Sequence, residues 1–136
     1  MIFVDSNVLI DVILGKDAHA AWSASRLAEA EPPLVINEIV VAEVAPRFID
    51  LAHLLDFMIK LGVEVMKLPL EAAFIAGQAH AAYRARGGTR HSIVADFLIA
   101  GHATTLDATL LTRDRRRFAT YFPTLSLITP ETHPND

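Results

Sequence analysis

Four acids in this 136-residue chain stand where a carboxylate is hard to keep. Asp5 directly follows the apolar run Ile2-Phe3-Val4. Glu43 lies inside Ile39-Val40-Val41-Ala42-Glu43-Val44-Ala45. Asp96 lies inside Ile93-Val94-Ala95-Asp96-Phe97-Leu98-Ile99-Ala100, and Asp114 follows Thr109 to Thr112. Most of the 16 acids sit in polar surroundings and need no such account. An uncompensated carboxylate in apolar company costs several kcal/mol, on the order of 2–7 for a polar group and more for a charge. Four such acids brought together repel one another, so either some protonate or a cation joins them. The donors to hand are all oxygens: the carboxylates, the Ser6 and Thr112 hydroxyls and the Asn7 amide. Hard oxygen ligands favour Mg²⁺, with Mn²⁺ as its substitute, over zinc. Such an ion activates water and stabilises charge on a phosphoryl group, and the chemistry implied is phosphodiester hydrolysis.

The basic residues point to a large anionic substrate. Seven of the 12 fall between Arg84 and Arg117: Arg84, Arg86, Arg90, Arg113, Arg115, Arg116 and Arg117. Only Asp96, Asp107 and Asp114 oppose them in that window. Setting aside the four candidate ligands brings the net charge from −4 to zero, so the remaining surface is not acidic. Arg86, Arg90, Arg113, Arg115 and Arg116 are the candidate contacts to a phosphate backbone. Gly87-Gly88 lets the Arg-rich loop approach a strand closely or move.

The elements that must position these groups are marked by pattern and punctuation. Ile2-Phe3-Val4, Leu34-Val35-Ile36 and Thr109-Leu110-Leu111 are short apolar runs without alternation, which reads as buried parallel strands. Val63 to Met66 and Leu125 to Ile128 read as strands nearer the edges. Ser6 or Asn7 caps a helix to about Leu14, and a second helix spans Ala18 to Ala30 before Pro32-Pro33. Asn37 caps Glu38 to Val44, and Pro46 interrupts the helical pattern beyond it. Further helices are expected over Asp50 to Leu61, Leu70 to Arg86 and, capped by Ser92, Ile93 to about Thr105; Asp114 opens a last short one. Alternating strands and helices predict an α/β protein: a three-layer α/β/α sandwich on a central, mostly parallel sheet of four to five strands. In such a sheet the strand C-terminal ends share one edge, where ligands bind. Asp5 and Asp114 lie at two such ends, Glu43 about two turns into the helix after the second strand, and Asp96 near the start of a helix that begins at that edge. The four can converge on one crevice.

Composition sets the outer limits. The length is one domain's worth, expected over 1–130 with a loose tail at 131–136. Apolar residues at 52% and charged residues at 21% exclude a disordered chain. With no cysteine, thiol catalysis, disulfide scaffolds and cysteine-ligated zinc or iron–sulfur centres are excluded. No apolar run reaches the roughly 20 residues that span a bilayer. Met1 to Gly15 lacks a basic leader and carries Asp5 and Asp11, unlike a secretory signal. A cytoplasmic protein without a membrane partner is the expectation.

Asp5-Ser6-Asn7, Glu43, Asp96 within Ala95 to Ala100, and Thr112-Arg113-Asp114 with Phe118 resemble the PIN-domain family. Within it the length and the segment Asp96 to Ala103 resemble VapC-type toxins of bacterial VapBC toxin–antitoxin pairs. The resemblance covers nearly the whole chain. It implies a Mg²⁺- or Mn²⁺-dependent endoribonuclease, a homodimer, RNA as substrate and inhibition by a cognate VapB-type antitoxin. Asp5, Glu43, Asp96 and Asp114 match the family's catalytic acids, with Asp5, Asp96 and Asp114 as metal ligands, and Ser6, Asn7 and Thr112 match supporting polar positions. Many relatives carry a further acid shortly after the fourth; here Arg116 and Arg117 stand there.

Each acid also has an ordinary structural reading. Asp5-Ser6-Asn7 and Asp114 can serve as helix caps, Glu43 can face solvent, and Asp96 can pair with an arginine in the core. Three rival functions remain. A phosphatase of the haloacid-dehalogenase kind wants a second Asp two residues after the first, where Asn7 stands. A phosphoryl-transfer receiver wants adjacent acids after the first strand and a late-strand Lys, and neither is present. A catalytically silent binding module of the same fold needs no intact chemistry at all.

Overall fold

The computed structural model of the chain describes residues 1–16 and 18–135. Its centre is a sheet of β1 (Ile2–Val4), β2 (Leu34–Asn37), β3 (Val63–Met66), β4 (Thr109–Leu111) and β5 (Leu127–Ile128). The order is β3-β2-β1-β4-β5 and every pairing is parallel. Two of the non-alternating apolar runs, β1 and β4, are therefore central neighbours, and Val63–Met66 and Leu127–Ile128 are the edges. The last strand is shorter than its expected Leu125 start, because only Leu127 and Ile128 find partners on β4.

Parallel neighbours need crossovers, and helices supply them. They are α1 (Ser6–Leu14), α2 (Ala18–Glu29), α3 (Glu38–Val44), α4 (Leu51–Leu61), α5 (Leu70–Ala85), α6 (Ile93–Thr105) and α7 (Arg115–Ala119). The result is the three-layer α/β/α arrangement, with Phe3, Val4, Leu110 and Leu111 fully buried in the sheet. Asn37 caps α3 as its position predicts: its Oδ1 accepts from the main-chain N–H of Ile39 and Val40, at 3.0 and 3.2 Å. Pro46 ends α3 in a 3-10 turn over Ala45–Arg47.

Helix α6, which carries Asp96, is buried over most of its length, including Phe97, Ile99, Ala100 and Ala103. It lies close against α5, whose facing residues include Ala72 and Ala76. A Cβ at Gly101 would meet the Ala72 carbonyl oxygen at 2.8 Å, so the close approach requires glycine there.

Two local expectations are corrected. The cap of α1 is neither Ser6 nor Asn7 but Asp5, whose extended backbone (φ −72°, ψ 151°) lets its side chain accept from the Ser6 N–H. Ser92 precedes α6 with helical φ and ψ and makes no side-chain capping bond. In the C-terminal segment, His133 and Asn135 contact α2. The Trp22 indole N–H donates to the His133 carbonyl (2.8 Å) and Arg26 Nη2 donates to Asn135 Oδ1 (3.2 Å). Asp136, the end of the expected tail, lies outside the described residues.

Candidate active site

Sheet register builds the floor of the site. Val4 is opposite Leu111, so one step further the chain places Asp5 beside Thr112. The Asp5 N–H still bonds the Leu111 carbonyl (2.9 Å), and the Thr112 N–H bonds the Ile128 carbonyl (3.0 Å). Both backbones are thus fixed by the sheet as their side chains leave it. Thr112 Oγ1 donates to Asp5 Oδ2 at 2.7 Å, while Asp5 Oδ1 accepts from the Ser6 N–H at 2.7 Å. The same Thr112 oxygen accepts from the Asp114 N–H (3.1 Å) and from Asn7 Nδ2 (3.4 Å). Asn7 Oδ1 in turn accepts from the Arg113 N–H at 3.3 Å. Ser6, Asn7 and Thr112, singled out as supporting polar groups, form one hydrogen-bonded frame across the ends of β1 and β4.

Helix α3 brings Glu43 to this frame: the Ser6 hydroxyl donates to Glu43 Oε1 at 3.1 Å. Glu43 is exposed as a residue, but this inward oxygen meets a buried hydroxyl. Asp96, one turn into α6, is 5% exposed. Its Oδ1 faces Arg117 Nη1 at 3.2 Å, and Arg117 Nη2 stands 3.0 Å from Asp114 Oδ2. Asp114 also caps α7 by accepting from the Arg117 N–H at 3.2 Å.

Electrostatics show the acids share one environment. Burial raises the Asp5 carboxyl above its usual range, against the lowering effect of Thr112, Ser6 and Arg117. Burial also raises Glu43, and the Asp5 charge adds to it while the Ser6 bond and Arg117 oppose. Asp96 is pushed up to about 7, first by burial and then by the charges of Asp5 and Glu43, with Arg117 pulling the other way. Three carboxyls, from the end of β1, α3 and α6, therefore hold their protons more tightly than free acids do, and the Arg117 guanidinium acts against all three. Raised carboxyl pKa values gathered in one crevice mark a candidate functional site.

The donor set is one that a hard divalent ion takes: carboxylate oxygens in excess over positive charge, with hydroxyl and amide oxygens between them. Among the described residues, no three acids or histidines already close on a common point at ligand distance. Arg117 occupies the side of the site where Asp96 and Asp114 face each other.

The candidate substrate arginines separate. Arg90 and Arg116 line a cavity with Asp114 and Arg117. The Arg86 guanidinium lies 5.5 Å from the Tyr121 ring centroid. Arg115 is exposed on α7. Arg113 is engaged inside the protein: its Nε stands 2.6 Å from Asp11 Oδ2, which also accepts from the Ser23 hydroxyl at 2.7 Å. The residue that sequence reasoning left out of the site is Arg117. Its signal was present as the three-residue step from Asp114 on a short helix, which puts two side chains on one face.

Comparison with known proteins places these features in context. The sequence profile of the PIN domain family matches residues 2–122. Among solved structures, VapBC-1 from nontypeable Haemophilus influenzae superposes with a TM-score of 0.70 at 21% identity, covering 95% of this chain and 98% of that one. VapBC2 from Rickettsia felis, bound to a DNA fragment from its promoter, gives 0.68 at 22% identity, covering 95% and 98%. VapC20 from Mycobacterium tuberculosis, a toxin that cleaves the sarcin–ricin loop, gives 0.63 at 19% identity, covering 88% and 95%. No curated protein sequence matches the chain.

Proposed function

The chain belongs to the PIN-domain family, and from that premise we propose that it is a Mg²⁺- or Mn²⁺-dependent endoribonuclease, the VapC-type toxin of a type II toxin–antitoxin pair. The observation that supports this reading is the gathering of Asp5, Glu43 and Asp96 at one sheet edge, where Ser6 joins Asp5 to Glu43, Arg117 faces Asp96, and burial raises all three carboxyls. In the proposal Asp5, Asp96 and Asp114 hold the ion. When bound, it lowers the pKa of a water and offsets charge developing at the phosphorus. Glu43, whose carboxyl burial raises above its usual range and whose Oε1 sits on the Ser6 hydroxyl, takes the proton of the attacking water. Thr112 and Ser6 fix Asp5 in one orientation by their hydrogen bonds, so no reorganisation is needed at the reacting phosphate. Arg90, Arg115 and Arg116 track the backbone on either side, and Arg86 reaches the same edge over Tyr121.

The neighbours whose structures hold VapBC complexes support a VapB-type antitoxin as partner, and the same reading assigns a homodimer. The neighbour that cuts the sarcin–ricin loop supports structured RNA as the substrate class. Among the described residues no helix is long and apolar enough to cross a membrane.

A panel of structured RNAs, incubated with Mg²⁺, Mn²⁺ or EDTA, tests the activity. Cleavage by the parent with either ion, none with EDTA and none by Asp96→Asn is the expected result. Cleavage by Asp96→Asn at the parent rate refutes the assignment. Growth arrest on expressing the chain alone, relieved by its antitoxin, separates a toxin from a housekeeping nuclease.

A further inference from the structure

Beside the acids, on the side of Asp114 and Arg117, a cavity of about 280 Å³ opens between α5, the loop before α6, and α7. Tyr83, Tyr121, Arg90, Arg116 and Ile93 line it together with the Asp114–Arg117 pair. The two tyrosine rings are half-buried and meet edge to face, centroids 5.8 Å apart and planes at 76°. Arg90 and Arg116 are exposed at the rim.

The loop is built onto this corner. The Arg90 N–H donates to the Tyr83 hydroxyl at 2.9 Å. A Cβ at Gly88 would overlap the Tyr83 ring carbons, and Gly88 is not in the left-handed region, so glycine is needed there for space. The Arg86 guanidinium braces the Tyr121 ring. The aromatic corner is thus held in place by the same arginine-rich segment that supplies its positive rim.

Chemistry selects the occupant. A phosphate alone has no use for two aromatic rings, and an apolar ligand has none for two exposed guanidiniums. A planar base joined to phosphates uses both, as unpaired bases stack on aromatic side chains while arginine meets the backbone. The volume lies just under the range of drug-sized pockets, about 300–1,000 Å³, which suits a single base. We infer that this cavity seats one unpaired nucleobase of the RNA strand beside the phosphate held at the acids. Tyr83 and Tyr121 take the base, and Arg90 and Arg116 take the phosphates flanking it. The inference rests on the nuclease reading and adds its recognition subsite.

The test compares two probes of equal charge in EDTA, by fluorescence anisotropy on the full chain. One is an adenylate octamer; the other is an octamer of ribose phosphates that bears no bases. The parent should bind the first at least about fivefold more tightly, the lower end of base stacking on one aromatic side chain. Tyr121→Leu should close most of that gap while leaving affinity for the baseless octamer unchanged. Gly88→Ala, which displaces the Tyr83 ring without touching the acids, should do the same and carries the test if melting shows Tyr121→Leu unfolded. Arg90→Ala and Arg116→Ala should weaken both probes alike. No gap in the parent, or a gap that survives in both folded aromatic-corner variants, overturns the subsite. Cleavage of RNA without a gap leaves the nuclease reading standing and removes the subsite alone; a gap in a chain that never cleaves RNA does the reverse.

Discussion

Arg117 Nη1 stands 3.2 Å from Asp96 Oδ1, and the pair is set in the crevice that Asp5 and Glu43 also face. One guanidinium thus serves Asp96 and Asp114 together, while among the described residues Asp5 and Glu43 form no ion pair of their own.

Arg117→Ala should expose the part this guanidinium plays. Without an ion it leaves Asp96 beside like charges, and the cost should be about 1–3 kcal/mol, seen as a lower melting temperature in EDTA. Added Mn²⁺ should then raise the melting temperature more in the variant than in the parent, because a competing positive charge is gone. An equal or smaller Mn²⁺ shift in Arg117→Ala would show that the guanidinium and the ion do not compete.

Asp96→Asn should be stabilising, and more so as pH rises. Asp96 titrates at about 7 in the folded chain against 3.8 for a free carboxyl. Between those values the folded state binds more protons than the unfolded one, so in the parent this group lowers stability with rising pH, by at most about 1.4 kcal/mol per unit. Asparagine removes that dependence. The difference in unfolding free energy between variant and parent, measured in EDTA, should therefore grow from pH 4 to pH 7 and level off above. A constant difference across that range would contradict the raised pKa.

Thr112→Val removes the hydroxyl that donates to Asp5 Oδ2 and accepts from the Asp114 N–H. The buried carboxylate oxygen loses a partner, at a cost of about 1–3 kcal/mol. Because that bond lowers the Asp5 pKa, its loss raises it further. The acidic limb of the kcat/KM profile for RNA cleavage should move to higher pH, with Thr112→Ser restoring it.

Reversing Arg115 and Arg116 to glutamate should weaken RNA binding and reduce the slope of log K against log salt by about 1–2, near 0.7 for each lost phosphate contact to a single strand. The same change at Arg113 should act mainly on stability, since its partner is Asp11 inside the fold. An unchanged slope in the Arg115 and Arg116 variant would take that helix out of the substrate path.

Much of this protein is legible in its residues. Non-alternating apolar runs, Asn37 before Glu38, Pro46, and Gly62 in the left-handed region at the end of α4 mark the elements, because backbone preference and two-sided burial act within a few positions. The isolation of Asp5, Glu43 and Asp96 among apolar neighbours, and the place of Asp114 just past a strand end, mark the candidate site, since desolvation is expensive wherever the chain folds. Tertiary structure alone decided how the acids are compensated. Whether a charge is met by an arginine depends on which side chains the sheet order and helix packing bring within a few ångströms. That is why Arg117 joined Asp96 across 21 positions, and why Arg113, adjacent to Asp114 in the chain, turned to Asp11 instead. The docked C-terminal segment and the tyrosine corner arose in the same way, from contacts between residues that share no local pattern.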